Sequence, residues 1–323
     1  VPATLQQYRA RLAEAVGFHI VTTTTAGAAQ ADQVIVADFR SSELEPTFFG
    51  NTWCYQPTGP NAGQVRRIVY QTGLDPTSGT ISLEAPFGTN TPTGTVLEIH
   101  GVLPAISREG RLGLNDIVNR VLAECWTVQR VGTPVVQDQV IYPLSSVPFL
   151  QWEDQVVDVY WQPPLTGVSA PPPNGVSQYD QLIPTWTFRS GGDSPSIQIA
   201  CPLQPGGVFK PEFFIPLSWW CNQGGAWPGP LEGLHADTDQ ALLSLQGMEV
   251  IGLAWVYGEM AKFGLPDDQS NYRQLQTRAR AAANEWKRLA LERPVGRRYH
   301  WPESMIAPSR GNYSYQNGYP WGP

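Results

Sequence analysis

Residues 237–292 read DTDQALLSLQGMEVIGLAWVYGEMAKFGLPDDQSNYRQLQTRARAAANEWKRLALE, and this stretch decides the fold expected from the sequence. It divides at Gly264-Leu265-Pro266-Asp267 into two helical patterns. In the second, Tyr272, Leu275, Ala279, Ala282, Trp286 and Leu289 recur at alternating steps of three and four, which lays one apolar stripe along a helix. Asp267 and Asp268 stand where negative charge favours a helix start, and Lys287, Arg288 and Arg293 where positive charge favours its end. The first pattern, through Leu242, Leu245, Met248, Ile251, Trp255 and Val256, is apolar on more than one side and needs cover.

Working outward, two further helices offer that cover. Ala3 to Val16 places Leu5, Tyr8, Leu12 and Ala15 on one face and stops at Gly17; Gly113 to Gln129 does the same with Leu114, Ile117, Val121, Leu122 and Cys125. Between them, short β-prone runs at Val34-Ile35-Val36, Thr52 to Tyr55, Gln64 to Thr72, Thr80 to Glu84 and Gly94 to His100 are separated by Gly/Pro turns such as Asp75-Pro76-Thr77-Ser78-Gly79, the pattern of a small barrel or sandwich. A second β-rich stretch carries runs at 135–142, 155–161, 185–188, 196–201 and 208–219, with a Pro/Gly/Ser loop at 162–177.

The expected fold class is therefore α+β: a four-helix bundle core with two inserted β-rich modules and an extended C-terminal tail. The expected segments are a bundle helix at 1–17, a first β-module at 18–112, a bundle helix at 113–130, a second β-module at 131–234, a helical hairpin at 235–293 and a tail at 294–323.

Composition narrows the function. A net charge of -7 argues against a general nucleic-acid binder, which needs a basic surface. The four cysteines, Cys54, Cys125, Cys201 and Cys221, are scattered, and buried free thiols are expected. No signal-peptide core forms at the start, because Arg9, Arg11 and Glu14 interrupt it, and no apolar run reaches the ~20 residues of a membrane span; a soluble chain is expected. The 12 Trp and 12 Tyr exceed the needs of an ordinary core, so some are expected at surfaces buried in an assembly.

No catalytic set is legible. His19, His100, His235 and His300 lie far apart in sequence, and no zincin, nucleophile-elbow or phosphate-loop motif occurs. No enzyme activity, metal or cofactor is expected. Asp154 and Asp158 share a strand face but read as solvated, and Arg66-Arg67 and Arg297-Arg298 as ion-pair or interface elements. Trp219, Trp220 and Trp227 are the candidates for glycan stacking.

The tail differs from ordinary disordered termini. Positions 293–323 carry four Arg against one Glu, a local charge of 4 - 1 = +3, leaving -7 - 3 = -10 for the rest. Arg297, Arg298, Tyr299, Trp301, Arg310, Tyr313, Tyr315, Tyr319 and Trp321 are residue types that dominate binding hot spots, which marks the tail as a partner-docking segment.

The N-terminal part, positions 1–130, resembles the head-tail connector (adaptor or neck) proteins of tailed bacteriophages. The resemblance rests on LQQYRARLAEAVG at 5–17, VIVADF at 34–39, Arg66-Arg67-Ile68-Val69, LDPTSGTISLEAPF at 74–87, the run Gly94 to Gly101, Leu103-Pro104 and GLNDIVNRVLAE at 113–124. It implies a structural virion protein of the phage neck. Such a protein would form a homo-oligomeric ring, commonly of twelve copies, between the portal and downstream neck or tail proteins. It would lie close to the genomic DNA and away from membranes, with its C-terminal tail docked on the portal. Met248, Ile251 and Trp255 are then candidates for a subunit interface. The large second β-module and long tail depart from that pattern and leave adaptor, stopper and terminator layers open. The alternative expectation is a tail-associated glycan- or receptor-binding protein using the Trp-rich second module.

Overall fold

The computed structural model describes residues 2–101, 103–144, 156–165, 177–189, 195–263 and 266–295. The chain divides into two compact units, one made of Val1–Cys125 and Pro216–Ala290, the other built on Trp126–Ile215.

The architecture is not a four-helix bundle carrying insertions. Helices are the minority: the described residues form four helices and eighteen strands, the strands gathered in five small antiparallel sheets. The helices carry strong 3.6-residue periodicity and dominate a reading of the sequence, whereas strands of two to five residues leave almost no periodic trace.

In the first unit, β1 (Ala3–Thr4) leads directly into α1 (Leu5–Ala15). Thr4 caps α1 reciprocally with Gln7, each side chain bonding the other's backbone N–H, so the start of the helix is fixed locally. β2 (His19–Thr23), β3 (Gln33–Ile35), β4 (Trp53–Gln56), β5 (Gln64–Arg67), β6 (Leu74–Asp75), β7 (Thr80–Ser82) and β8 (Val96–His100) follow. They form two sheets, in the orders β2-β8-β4-β5 and β3-β7-β6. The bridges Ala26↔Ile35 and Ile68↔Leu83 join these sheets at both seams. Val34, Phe49, Cys54, Ile68, Ile81, Leu97 and Ile99 fill the enclosed core.

α2 (Leu114–Glu124) ends where Cys125 turns extended, and the next five residues, Trp126–Arg130, form strand β9 of the second unit, not a continuation of the helix. The β-branched and aromatic residues of Trp126-Thr127-Val128 favour that outcome. After the second unit the chain returns with β17 (Cys221–Asn222) and β18 (Gln240–Ala241). These pair with β1 in the order β1-β18-β17, then lead to α3 (Leu245–Phe263) and α4 (Pro266–Val295). Residues 216–234, assigned from sequence to the second β-module, thus belong to the first unit.

The helices share a core with this small sheet. Leu5, Tyr8 and Leu12 of α1, Ile117, Val118 and Val121 of α2, Met248, Ile251 and Val256 of α3 and Ala283 of α4 pack with Leu217, Cys221, Leu234 and Ala241. Tyr8 ties the layers by donating to the carbonyl of Ala241 at 3.0 Å. The expected stripe on α4 is only half-buried at Tyr272, Leu275, Ala279 and Trp286; Ala282 is exposed and Ala283 is the buried residue.

The second unit contains, besides β9, the strands β10 (Thr133–Pro134), β11 (Ile141–Pro143), β12 (Val156–Gln162), β13 (Gln181–Leu182), β14 (Trp186–Arg189), β15 (Ser196–Ile199) and β16 (Val208–Pro216). One sheet runs β10-β16-β12-β13 with β9 also on β16, the other β11-β15-β14. Tyr142 of β11 stacks on Phe209 of β16 with ring centroids 3.9 Å apart, joining the two sheets through their apolar faces.

Gly113, just before α2, is a close-approach position. A Cβ there would stand 2.3 Å from the backbone carbon of Ile106 and 2.4 Å from the nitrogen of Ser107. Neither neighbour can swing away as a side chain can. Gly113→Ala is therefore expected to destabilise the chain by about 1–3 kcal/mol, and at this extended N-cap position alanine gains nothing as a helix former. Denaturant melts of the two proteins measure this directly.

Candidate functional site

The β2-β8-β4 sheet has two faces, and period-2 alternation sorts them. Leu97, Ile99 and Cys54 point into the enclosed core. Glu98 and His100 occupy the opposite face. His19 lies directly across from His100, and Tyr55 and Trp53 lie across from Glu98 and His100 on the other side. In an isolated sheet that face would meet water. Here α1 covers it, and the polar residues are buried: Arg9, Glu98 and His100 are each 0% exposed.

Arg9 organises the cluster. Its Nε donates to Glu98 Oε2 at 2.8 Å. Nη1 donates to Asn115 Oδ1 at 3.0 Å and Asp237 Oδ1 at 2.8 Å. Nη2 donates to Glu98 Oε1 at 2.8 Å and Asp237 Oδ2 at 3.1 Å. A guanidinium has five N–H donors, and all five are used. The guanidinium also lies 4.8 Å over the Tyr55 ring. Gln6 adds a 3.3 Å hydrogen bond to Glu98 Oε1.

The two histidines approach the remaining side of Glu98. His100 Nε2 is 3.2 Å and His19 Nε2 3.8 Å from Glu98 Oε2. Neither nitrogen is aligned for a hydrogen bond, and His100 Nδ1 has no partner either. The rings are stacked with centroids 5.1 Å apart.

Protonation follows from this setting. Burial alone would raise the Glu98 carboxyl, but contacts from His100, His19 and Arg9, together with the charge of Arg9, hold it far below the usual carboxylate range. Burial pushes the His100 imidazolium down, against the pull of Glu98. The Tyr55 phenol is pushed up to about 12 by burial and by Asp237, so it stays protonated.

The cluster was not visible in the sequence. The two histidines are 81 positions apart and meet only because β2 pairs with β8. In the sequence Arg9 stands only as a charge interrupting an apolar start. The usable signal was a charge at an inward position: Arg9 within the Leu5, Tyr8, Leu12 stripe, and Glu98 and His100 within the apolar strand VLEIH.

The residues singled out from sequence fare differently. Arg297, Arg298, Tyr299, Trp301, Arg310, Tyr313, Tyr315, Tyr319 and Trp321 lie outside the described residues. Asp154 does too, so its pairing with Asp158 is not defined. Met248 and Ile251, candidates for a subunit interface, are 0% and 1% exposed within the chain's own core and have no surface to offer a neighbour. Trp255 is half-buried; its Nε1 donates to Glu124 Oε1 at 2.9 Å, and Arg120 lies 5.0 Å from its ring centroid.

The glycan candidates are not a module of the second β-rich unit. Trp219, Trp220 and Trp227 sit in the segment that returns to the first unit, and Trp220 is 5% exposed, so the three do not form an open stacking platform. Arg66 is engaged by the carbonyls of Pro86 and Val65 and by Gln64, and Arg67 by Asn51. Cys54, Cys125 and Cys221 are buried free thiols, with burial pushing each up to about 12, whereas Cys201 is free and exposed. Comparison with protein-family models, curated proteins and solved structures finds no match for this chain.

Two outcomes follow from the cluster. Arg9→Met leaves Glu98 buried without its partner and is expected to cost about 3–5 kcal/mol, read by denaturant unfolding at pH 7, whereas Gln6→Ala is expected to cost under about 1.5 kcal/mol. Stability is also expected to fall with acid in two stages. His100 has a depressed folded-state pKa, so the unfolded chain binds its proton first, and stability is lost as pH drops below about 6.5. Glu98 is likewise depressed and adds a second loss below about 4.3. A pH series of thermal melts checks both stages.

Proposed function

We propose that the chain is a structural protein of a tailed-bacteriophage neck, a ring adaptor between portal and tail around the DNA channel, with residues 294–323 docking on the portal. The resemblance of positions 1–130 to connector proteins motivates the reading, and the observation that carries it is α4. This helix runs for 30 residues, about 45 Å at the usual rise. Over positions 268–288 it buries only Ala283, with Tyr272 and Trp286 packed partly on the core.

Such exposure suits a helix that has a second neighbour. Its outward positions include Arg273, Arg278 and Arg280, all exposed, on a chain whose body is acidic. A basic helix on one copy and an acidic surface on the next is the complementarity that heterologous ring contacts use. Lys287 pairs with Glu124 and Trp255 bonds the same carboxylate, so the base of α4 is anchored while the rest of its surface stays available. The sequence that follows α4 is the arginine- and aromatic-rich tail.

The mechanism in this reading is geometric: a closed ring encircles the channel, and the tail ties each copy to the portal. Native mass measurement of the protein mixed with portal rings is expected to show a closed assembly. For a 35.6 kDa chain, about twelve copies would weigh on the order of 430 kDa in addition to the portal. Deleting residues 295–323 is expected to abolish co-sedimentation with portal rings. Unchanged co-sedimentation would refute the docking role, and absence of any cyclic assembly with or without portal would refute the ring.

A further inference from the structure

We propose that His19, Glu98 and His100 form a binding site for one late first-row divalent cation of the zinc class. The inference is independent of the neck reading and rests on the geometry of the face beneath α1.

The donor set comes first. Two imidazoles and one carboxylate are ligands that zinc accepts, at about 2.0–2.2 Å each, with neighbouring ligand atoms roughly 3.4 Å apart in a tetrahedral shell. Here His100 Nε2 and His19 Nε2 lie 3.2 and 3.8 Å from Glu98 Oε2, and all three residues can place a ligand atom within 4.8 Å of the others. Drawn inward from these separations, the three donors would share one ion, leaving a fourth position for water.

The second observation is unmet demand. His100 is 0% exposed, and neither of its ring nitrogens has a hydrogen-bond partner; His19 Nε2, on a side chain 4% exposed, has none. Buried polar atoms are normally satisfied, and a pair of imidazoles left open toward one carboxylate oxygen is the state a metal resolves. Glu98 is held as ligating carboxylates are: Arg9 and Gln6 bond Oε1, and Arg9 Nε bonds Oε2.

Charge points the same way. Arg9, Glu98 and Asp237 sum to +1 - 2 = -1, the imidazoles left aside. Arg9 opposes a cation at short range, but it is itself paired with two carboxylates. A hard, oxygen-seeking ion such as magnesium or calcium is disfavoured by two nitrogen donors and a single carboxylate oxygen.

The test uses the full chain, refolded with and without zinc because the site is enclosed, then dialysed. Metal analysis is expected to give about one zinc per chain. The thermal midpoint is expected to rise by roughly 5–10 °C at a hundredfold excess over the dissociation constant. Magnesium should have no effect. Cobalt in place of zinc should give visible d–d absorption without a thiolate charge-transfer band, which separates this site from the cysteines. His19→Gln, on the less enclosed ligand, is expected to weaken zinc binding on the order of a hundredfold or more. No zinc uptake by the wild-type chain, a thiolate band, or uptake unchanged in His19→Gln would each overturn the proposal. Should His100→Gln fail to fold, the cobalt spectrum of the wild-type chain and the His19 variant still decide the matter.

Discussion

The first unit depends on the guanidinium of Arg9. Its five hydrogen bonds reach residues 89, 106 and 228 positions away in the sequence, so one side chain joins α1, β8, the start of α2 and the loop before β18. Removing an arginine from water costs several kcal/mol, recovered here only because every N–H finds an oxygen and two carboxylates share the charge. The arrangement tolerates little movement. Shifting α1 by one turn would strand the charge, whereas the apolar contacts of Leu5, Tyr8 and Leu12 could re-form against a neighbouring ridge. The apolar core supplies most of the driving force, and the ion network selects which packing is adopted.

The second unit reaches a related solution with different residues. Arg130 on β9 pairs with Asp180 at 2.7 Å, Lys210 on β16 meets the same carboxylate at 3.2 Å, and Glu212 lies 3.5 Å from Arg130. Arg130 also covers the Tyr160 ring at 3.5 Å. A charged crosslink there joins β9, β16 and the loop before β13. In both units a buried arginine fixes register where strand length cannot.

How much of this the sequence carries varies by element. α1, α2 and α3 are legible because Leu5, Tyr8 and Leu12, or Ile117, Val121 and Leu122, repeat at helical spacing and are the residues found buried. The strands at 53–56, 80–82, 96–100, 156–162 and 208–216 are legible from β-prone runs between turns. What is lost is whatever depends on pairing between distant segments. Ala3–Thr4 and Gln240–Ala241 are too short to show a period, yet their pairing completes the sheet that shares the helices' core. That is why a bundle seemed sufficient and was not. The charged cluster was missed for the same reason: Arg9, Glu98 and Asp237 carry no motif, and only strand register and helix docking bring them together.

Comparing the two networks sharpens what is unusual about the first. In the second unit Arg130 and Lys210 face Asp180 and Glu212, two positive charges against two negative. In the first, one arginine faces two carboxylates, and two imidazoles stand against the carboxylate that is completely enclosed. Surplus negative charge attracts a positive species, although the enclosed Arg9–Glu98 pair is neutral and the surplus sits on Asp237, which is 23% exposed and so partly screened. The candidates are a proton on an imidazole or a cation shared between imidazoles. Burial works against the proton at His100, because it charges a ring with no solvent around it. A shared metal ion instead places its charge among three donor atoms and asks no proton of His100.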